Sequence, residues 1–309
     1  MRIPRSLGYV LKIALVMCFY TFALWVLFRV LASVTKPKKN RVLVDGEEDY
    51  LFDESDAEDE TLLEHVAGNY VDLLRISKIL DRRNSTEDYS LRMPSDVDLS
   101  EHKQSSALLQ LLNAKENGTF LEAGAFDGEF FSNSLYLERN YGWRGVLVEP
   151  ITKFYNEILS KKRKAVLLNA CLSPKPWFEY MNMTIVRSGI FRIESMSSLH
   201  GYNMGDFDPE KHDQETVECY PIFDVLSAAK LTQLDVLMLD VQGAEEDILR
   251  TIPWRLVDIR VILVEISKFG KDHLPRKLFH QEQRLKAFLG KQGYDVKAVL
   301  GRDFIFVRE

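Results

Sequence analysis

Phe120 to Glu129 reads F-L-E-A-G-A-F-D-G-E. An apolar lead, Thr119 to Leu121, runs into the acid Glu122 and then into two glycines, Gly124 and Gly128, with Ala125, Phe126 and Asp127 between them. Helical patterning follows from Asn133 to Arg139. Strand, glycine loop and helix in that order build a crevice for a nucleotide. Glycine lets the backbone approach a ligand with no Cβ in the way, and the start of the helix turns free N–H groups toward it. A plain turn in any α/β domain carries the same two glycines, so the loop decides nothing by itself. Its acids (Glu122, Asp127, Glu129) and its lack of Lys make it a poor cradle for a pyrophosphate. It also lacks the G-x-G-x-x-G spacing of dinucleotide binders and the G-K-[ST] of phosphate loops. A second strand, Gly145 to Val148, ends in Glu149, 21 residues after Gly128. An acid at that spacing takes the two hydroxyls of a ribose. Charge therefore favours S-adenosylmethionine over NAD or ATP.

Outward from this stretch, strands and helices alternate. Helices are predicted at Glu101 to Ala114, Ile151 to Ser160, Ile222 to Ala229 and Phe279 to Gly290. Strands are predicted at Lys164 to Ala170, Thr216 to Cys219, Leu234 to Leu239 and Ile259 to Ile266, with β-type composition from Trp177 to Ser188 and a polar loop from Ser195 to Pro209. The runs at Leu234 and Ile259 are apolar throughout rather than alternating, which marks strands buried on both faces. Tyr294 to Val299 and Phe304 to Val307 flank Gly301-Arg302-Asp303 as a closing hairpin. The expectation is an α/β fold: a doubly wound, mostly parallel, Rossmann-like sheet with a C-terminal antiparallel hairpin. Ligands in such sheets bind beyond the C-terminal strand ends. Glu122 and Asp127, Glu149 and Asp240 should all meet on that rim.

The 309-residue chain carries a net charge of −6. That average hides a block from Asp45 to Glu60 with ten acids and no base, so the rest carries 40 basic and 36 acidic residues. Nothing there reads as nucleic-acid binding. Three cysteines are too few for a disulfide scaffold or a zinc site, and no metal is expected. Cys171 and Cys219 either pair, in an oxidising compartment, or stay free and buried. Ile13 to Phe28 holds sixteen residues without a charge, and Val30 to Val34 continues the run past Arg29. Roughly 20 apolar residues span a bilayer. Residues 1–35 thus read as a single membrane-spanning signal anchor, too long for the h-region of a cleaved signal peptide, which is the other reading. Basic residues flank the span almost evenly and leave its orientation open. Residues 36–60 read as an acidic solvated stalk, 61–98 as a helical linker region and 99–309 as the α/β domain. Sequons at Asn84, Asn117 and Asn182 lean toward a luminal domain.

Taken together, E-A-G-A-F-D-G (Glu122 to Gly128), W-R-G-V-L-V-E-P (Trp143 to Pro150), N-A-C-L-S (Asn169 to Ser173) and L-D-V-Q-G-A-E-E-D-I-L (Leu239 to Leu249) resemble the FkbM-type methyltransferase domain. The likeness covers about Leu99 to Val307. S-N-S-L-Y-L-E at Ser132 to Glu138, together with the anchor, resembles the Star group of insect proteins. The resemblance implies cofactor contacts from Glu122, Gly124, Ala125, Phe126, Asp127, Gly128 and Glu149, with Asn169 and Cys171 near the adenine. It places Gln242 and Glu245 on the substrate side, and Ser198 there or in a bland loop. Most members read D-V-E-G where this chain reads D-V-Q-G, and an amide cannot take up a proton. Two readings follow. One is a trafficking factor of the endoplasmic reticulum, Golgi and endosomes that handles a transmembrane cargo such as a growth-factor precursor. The other is an active O-methyltransferase with Asp240 or Glu265 as base.

Overall fold

The computed structural model describes residues 71–81, 87–190, 194–202, 208–266 and 275–309, with backbone alone over 275–280. The proposed anchor, the stalk and Asn84 lie outside these residues. Among the described residues no helix is long and apolar enough to cross a membrane.

A helix covers 71–79. Then come α1 (Gln104–Leu111), β1 (Thr119–Ala123), α2 (Leu135–Tyr141), β2 (Arg144–Val148), α3 (Thr152–Ser160), β3 (Val166–Leu168), β4 (Cys171–Leu172), β5 (Glu179–Val186), β6 (Ser198–Leu199) and β7 (His212–Tyr220). α4 (Ile222–Ala229), β8 (Gln233–Leu239), α5 (Glu245–Arg250), β9 (Asp258–Glu265), α6 (Pro275–Lys291), β10 (Tyr294–Leu300) and β11 (Asp303–Arg308) complete the order. The main sheet has seven strands in the order β10-β11-β9-β8-β1-β2-β3. β3, β2, β1, β8 and β9 are parallel, and β11 runs antiparallel between β9 and β10. The closing hairpin is thus present, with its second strand inserted into the sheet.

Successive residues of these strands feed two separate cores. Phe120, Leu147, Val236, Val261 and Ile305 pack with Leu108 of α1 and Leu137 of α2 on one face. Leu121, Val148, Leu237, Ile262 and Phe306 pack with Ile222 of α4 and Ile248 of α5 on the other. Both faces are dry, which is why the central strands read as unbroken apolar runs. Chain order reverses between β1 and β8, and this switch point sets where a ligand can enter.

Two expectations need correction. α1 is shorter than Glu101 to Ala114: Lys103, Asn113 and Ala114 all have left-handed backbone, with φ of 61°, 52° and 51°. The stretch from Cys171 to Tyr220 also does not extend the main sheet. It forms a second sheet in the order β4-β7-β5-β6, and β7 is longer than the predicted Thr216 to Cys219. Glu179 to Val186 pair antiparallel with His212 to Cys219.

Cys171 and Cys219 face each other across β4 and β7 and are joined by a disulfide. The bond closes a loop with a sequence separation of 48. Constraining the unfolded chain over such a loop stabilises a domain by about 2–4 kcal/mol. Urea titrations with and without a reductant should show a loss of that size. An unchanged midpoint would mean that the sheet holds β4 and β7 together without it.

Candidate functional site

The glycine loop leaves β1 through Gly124, at φ 83°. A Cβ there would lie 1.9 Å from the carbonyl oxygen of Asp240. The absent side chain therefore makes room for the end of β8, not for a ligand. Backbone bonds fasten this crossing: Asp240 N–H donates to Ala123 O (3.1 Å), and the N–H groups of Gly124 and Ala125 donate to Val148 O (3.1 and 3.2 Å). The ends of β1, β2 and β8 are drawn together at one point.

Below the loop lies a buried ionic layer. Glu122 accepts from Ser132 Oγ (3.0 Å), Ser134 Oγ (2.5 Å) and Asn133 N–H (2.7 Å). Burial pushes its carboxyl up, against the pull of Arg163 and these donors. Arg163 pairs with Glu138 through two nitrogens and donates to Gly128 O (2.5 Å). Asp127 caps the turn by accepting from the N–H groups of Glu129 and Phe130, and its other oxygen lies 3.5 Å from Lys161. Lys161 also pairs with Glu129 at 2.6 Å. Asp127 and Gly128 were expected to touch cofactor. In the fold Asp127 lies toward Lys161, Gly128 O accepts from Arg163, and neither residue lines the crevice above the loop.

Above the loop is an open crevice with an empty volume of about 1160 Å³, mouth included. Of the expected cofactor residues Glu122, Gly124, Ala125, Phe126 and Glu149 line it. Glu149, at the end of β2, accepts from Phe126 N–H and Ile151 N–H, both at 2.9 Å. Burial pushes its carboxyl up to about 8, and the two N–H groups pull it back. Phe126 and Phe154 meet with ring centroids 4.4 Å apart and, with Ile151, Cys171 and Leu172, form an apolar wall beside Glu149. Asn169 is not on that wall. Its amide donates to Glu149 O (2.9 Å) and Pro150 O (3.1 Å), so it shapes the turn after β2.

The far end is acidic. Asp240 and Gln242 line the crevice. Gln242 has left-handed backbone (φ 55°), and its amide donates to Asp240 Oδ1 (2.6 Å) and Glu265 Oε2 (3.1 Å). Arg302 closes the group with a 2.6 Å pair to Glu265. Burial, then the neighbouring Glu265, hold the Asp240 carboxyl well above its ordinary range. Glu245 is elsewhere: it accepts from Val241 N–H and Gly243 N–H (3.0 Å) and so caps the loop that opens α5. Ser198 is buried in β6 and off the wall, whereas its neighbours Ser197 and Leu199 line it. Asn117 and Asn182 are exposed. Asn182 Oδ1 accepts from Thr216 Oγ1 (2.8 Å).

Sequence reasoning missed Arg302, Glu101, Phe130, Phe131 and Asn133 in the lining. Asn133 lines the crevice, and its Oδ1 is buried with no hydrogen-bond partner. The lining holds five acids (Glu101, Glu122, Glu149, Glu194, Asp240) against one base, Arg302. With one base among many acceptors, the lining disfavours a polyphosphate and offers acceptors to the hydroxyls and amines of a nucleoside such as S-adenosylmethionine.

Several solved structures resemble this one at low identity. An O-methyltransferase from Bacillus cereus in complex with SAH shares 14% identity over 81% of this chain and 91% of its own, with TM-score 0.35. Precorrin-6y C5,15-methyltransferase from Geobacter metallireducens shares 12% over 70% and 92%, with TM-score 0.36. A methyltransferase from Pyrococcus furiosus shares 12% over 79% and 98%, with TM-score 0.36. No curated protein matches the chain. The methyltransferase FkbM domain matches residues 122–296, from the acid inside β1 to the middle of β10. That match covers more than half of the sequence, and the chain belongs to the FkbM methyltransferase domain family.

Proposed function

We propose that this chain is a single-pass membrane protein of the Star type. Its methyltransferase-fold domain binds S-adenosylmethionine and serves vesicle-mediated trafficking of a transmembrane cargo between endoplasmic reticulum, Golgi and endosomes. The observation that carries this reading is Gln242. Its amide is committed to both Asp240 and Glu265, so the acids that could act as base are tied to each other. The uncharged run at 13–28, the sequons and the disulfide support a luminal domain on a membrane anchor, since disulfides persist in oxidising compartments. Glu149 would take the ribose hydroxyls, and the Phe126–Phe154 wall would flank the nucleoside.

A second reading is an O-methyltransferase. It is favoured by the upward shift of Asp240, which brings a carboxyl toward the range where it can accept a hydroxyl proton. In that case the bound cofactor supplies the methyl group, and Asp240 takes the acceptor's proton.

Calorimetric titration of S-adenosylmethionine into the detergent-solubilised full chain tests both. Micromolar binding is expected. Glu149→Ala should weaken it about 10- to 100-fold, the worth of the two ribose hydrogen bonds it would lose. Binding without transfer to any acceptor, together with co-purification of a membrane cargo, favours the first reading. Transfer abolished by Asp240→Asn favours the second. A well-folded chain that binds nothing overturns both.

A further inference from the structure

Asp224, on α4, is fully buried, and neither of its carboxylate oxygens has a hydrogen-bond partner. An ionised carboxylate held this way has lost its hydration with nothing in return. The charge that acts on it most is another acid, Asp72 of the helix at 71–79. Asp72 pairs with Arg75 at 3.3 Å, and the Arg75 guanidinium lies over the Phe178 ring at 4.7 Å. From the end of β7 come Tyr220 and Glu218. Tyr220 Oη donates its proton to Glu218 at 2.6 Å, so it has none for Asp224.

Segment 71–81 packs on the core beside this acid. Ile76 and Leu80 are buried in the same core as Tyr220, Ile222 and Val225. Beyond Leu80, Asp81 and Leu167 exchange two backbone bonds, 2.8 and 3.0 Å, across the edge of β3. Val71, Leu74 and Ile79 face outward. Among the described residues two apolar anchors, one backbone bridge and the Arg75–Phe178 contact hold the segment, and its own Asp72 sets a like charge near Asp224.

We propose that the buried, unpartnered Asp224 carboxyl beneath segment 71–81 is a proton-operated latch, which seats the segment firmly in acid and loosens it as the medium becomes neutral. The sign follows from the carboxyl's two environments. Burial, then the charge of Asp72, push Asp224 from its ordinary 3.8 up to about 7 while the segment is seated. With the segment lifted, water restores the ordinary value. Between these two values the seated state holds a proton that the open state has released. Seating weakens as pH rises through that window, by up to about tenfold per unit, and is weakest above about 7. Nothing here depends on what the crevice binds.

Hydrogen exchange read by mass spectrometry tests this on the full chain in detergent over a series of pH values from 5.5 to 7.5, after correction for the chemical exchange rate. Protection of peptides over 71–81 should fall about tenfold or more from the lower to the higher pH, while peptides from β8 and β9 stay unchanged. Asp224→Asn should abolish the dependence. Asp72→Asn should keep it but move its midpoint to lower pH, because the like charge is gone. A flat wild type, or an equal slope in Asp224→Asn, overturns the latch. Should Asp224→Asn not fold, the Asp72→Asn midpoint decides alone, and an unmoved midpoint overturns it.

Discussion

Arg163→Met is expected to lower the unfolding free energy by about 3–5 kcal/mol, the usual result of removing one partner from a buried ion pair. The Arg163 side chain is 0% exposed and that of Glu138 is 1%. Its fork reaches both oxygens of Glu138, at 3.1 and 3.2 Å, and also Gly128 O, Ser132 Oγ and Ser134 Oγ. Glu138 in turn accepts from Lys164 N–H and Ala165 N–H. Methionine matches much of the length but leaves Glu138 charged and dry, and removes the cation that favours ionised Glu122. The loop at 128–134 loses its anchor at the same time, so binding in the crevice should weaken with stability. Arg163→Lys should fall between the two, since an ammonium keeps the charge but cannot make the two-pronged bond. Adding Glu138→Leu to Arg163→Met should recover much of the loss by removing the stranded charge. Urea titrations of all four proteins measure this. A single-variant cost under about 1 kcal/mol, the level of an exposed pair, would show that the layer is wet.

This layer also shows where sequence reading reaches its limit. Lys161, Lys162, Arg163 and Lys164 form a run of four bases that reads as a solvated surface. In the fold the first and third are buried while Lys162 stays at the surface. Whether a base points in or out depends on which acids wait inside, and Glu129 and Glu138 come from other elements. The same gap hides the surroundings of Asp127 and Gly128, whose spacing is that of a ligand loop and whose oxygens lie toward Lys161 and Arg163. By contrast, β1, β2, β8 and β9 were legible, because a strand buried on both faces has no polar positions to blur it. So was the position of Glu149 at the end of β2. The second sheet was not. β5 and β7 alternate between buried and exposed positions only weakly, and they pair across a long intervening stretch. Arg302 sits in a hairpin turn, ordinarily a solvated place. It reaches the crevice only because β11 enters the sheet beside β9, where Asp303 pairs with Glu265.

Gly124→Ala should be among the most damaging single substitutions in this domain, at a cost on the order of 4–5 kcal/mol, a size reached only by a few specific mechanisms. Two act together here. The backbone is left-handed at φ 83°, which costs a residue with a Cβ about 1–2 kcal/mol. The new methyl would also sit 1.9 Å from Asp240 O and 2.9 Å from its carbonyl carbon, both backbone atoms that no rotamer change can move aside. Relief requires the ends of β1 and β8 to part, breaking the bond from Asp240 N–H to Ala123 O and displacing Asp240 from Gln242. Gly189→Ala separates the two causes. Gly189 is also left-handed, at φ 65°, but nothing lies within 4 Å of its would-be Cβ. It should show the backbone cost alone. The difference between the two variants, read from urea midpoints at equal slope, is then the energy of holding two strand ends closer than any side chain allows. If Gly124→Ala does fold, its crevice should be wider at the point where β1 and β8 cross, and binding should suffer beyond what stability explains. Equal costs for the two glycines would instead mean that the strand ends part freely, and that their close approach does not shape the site.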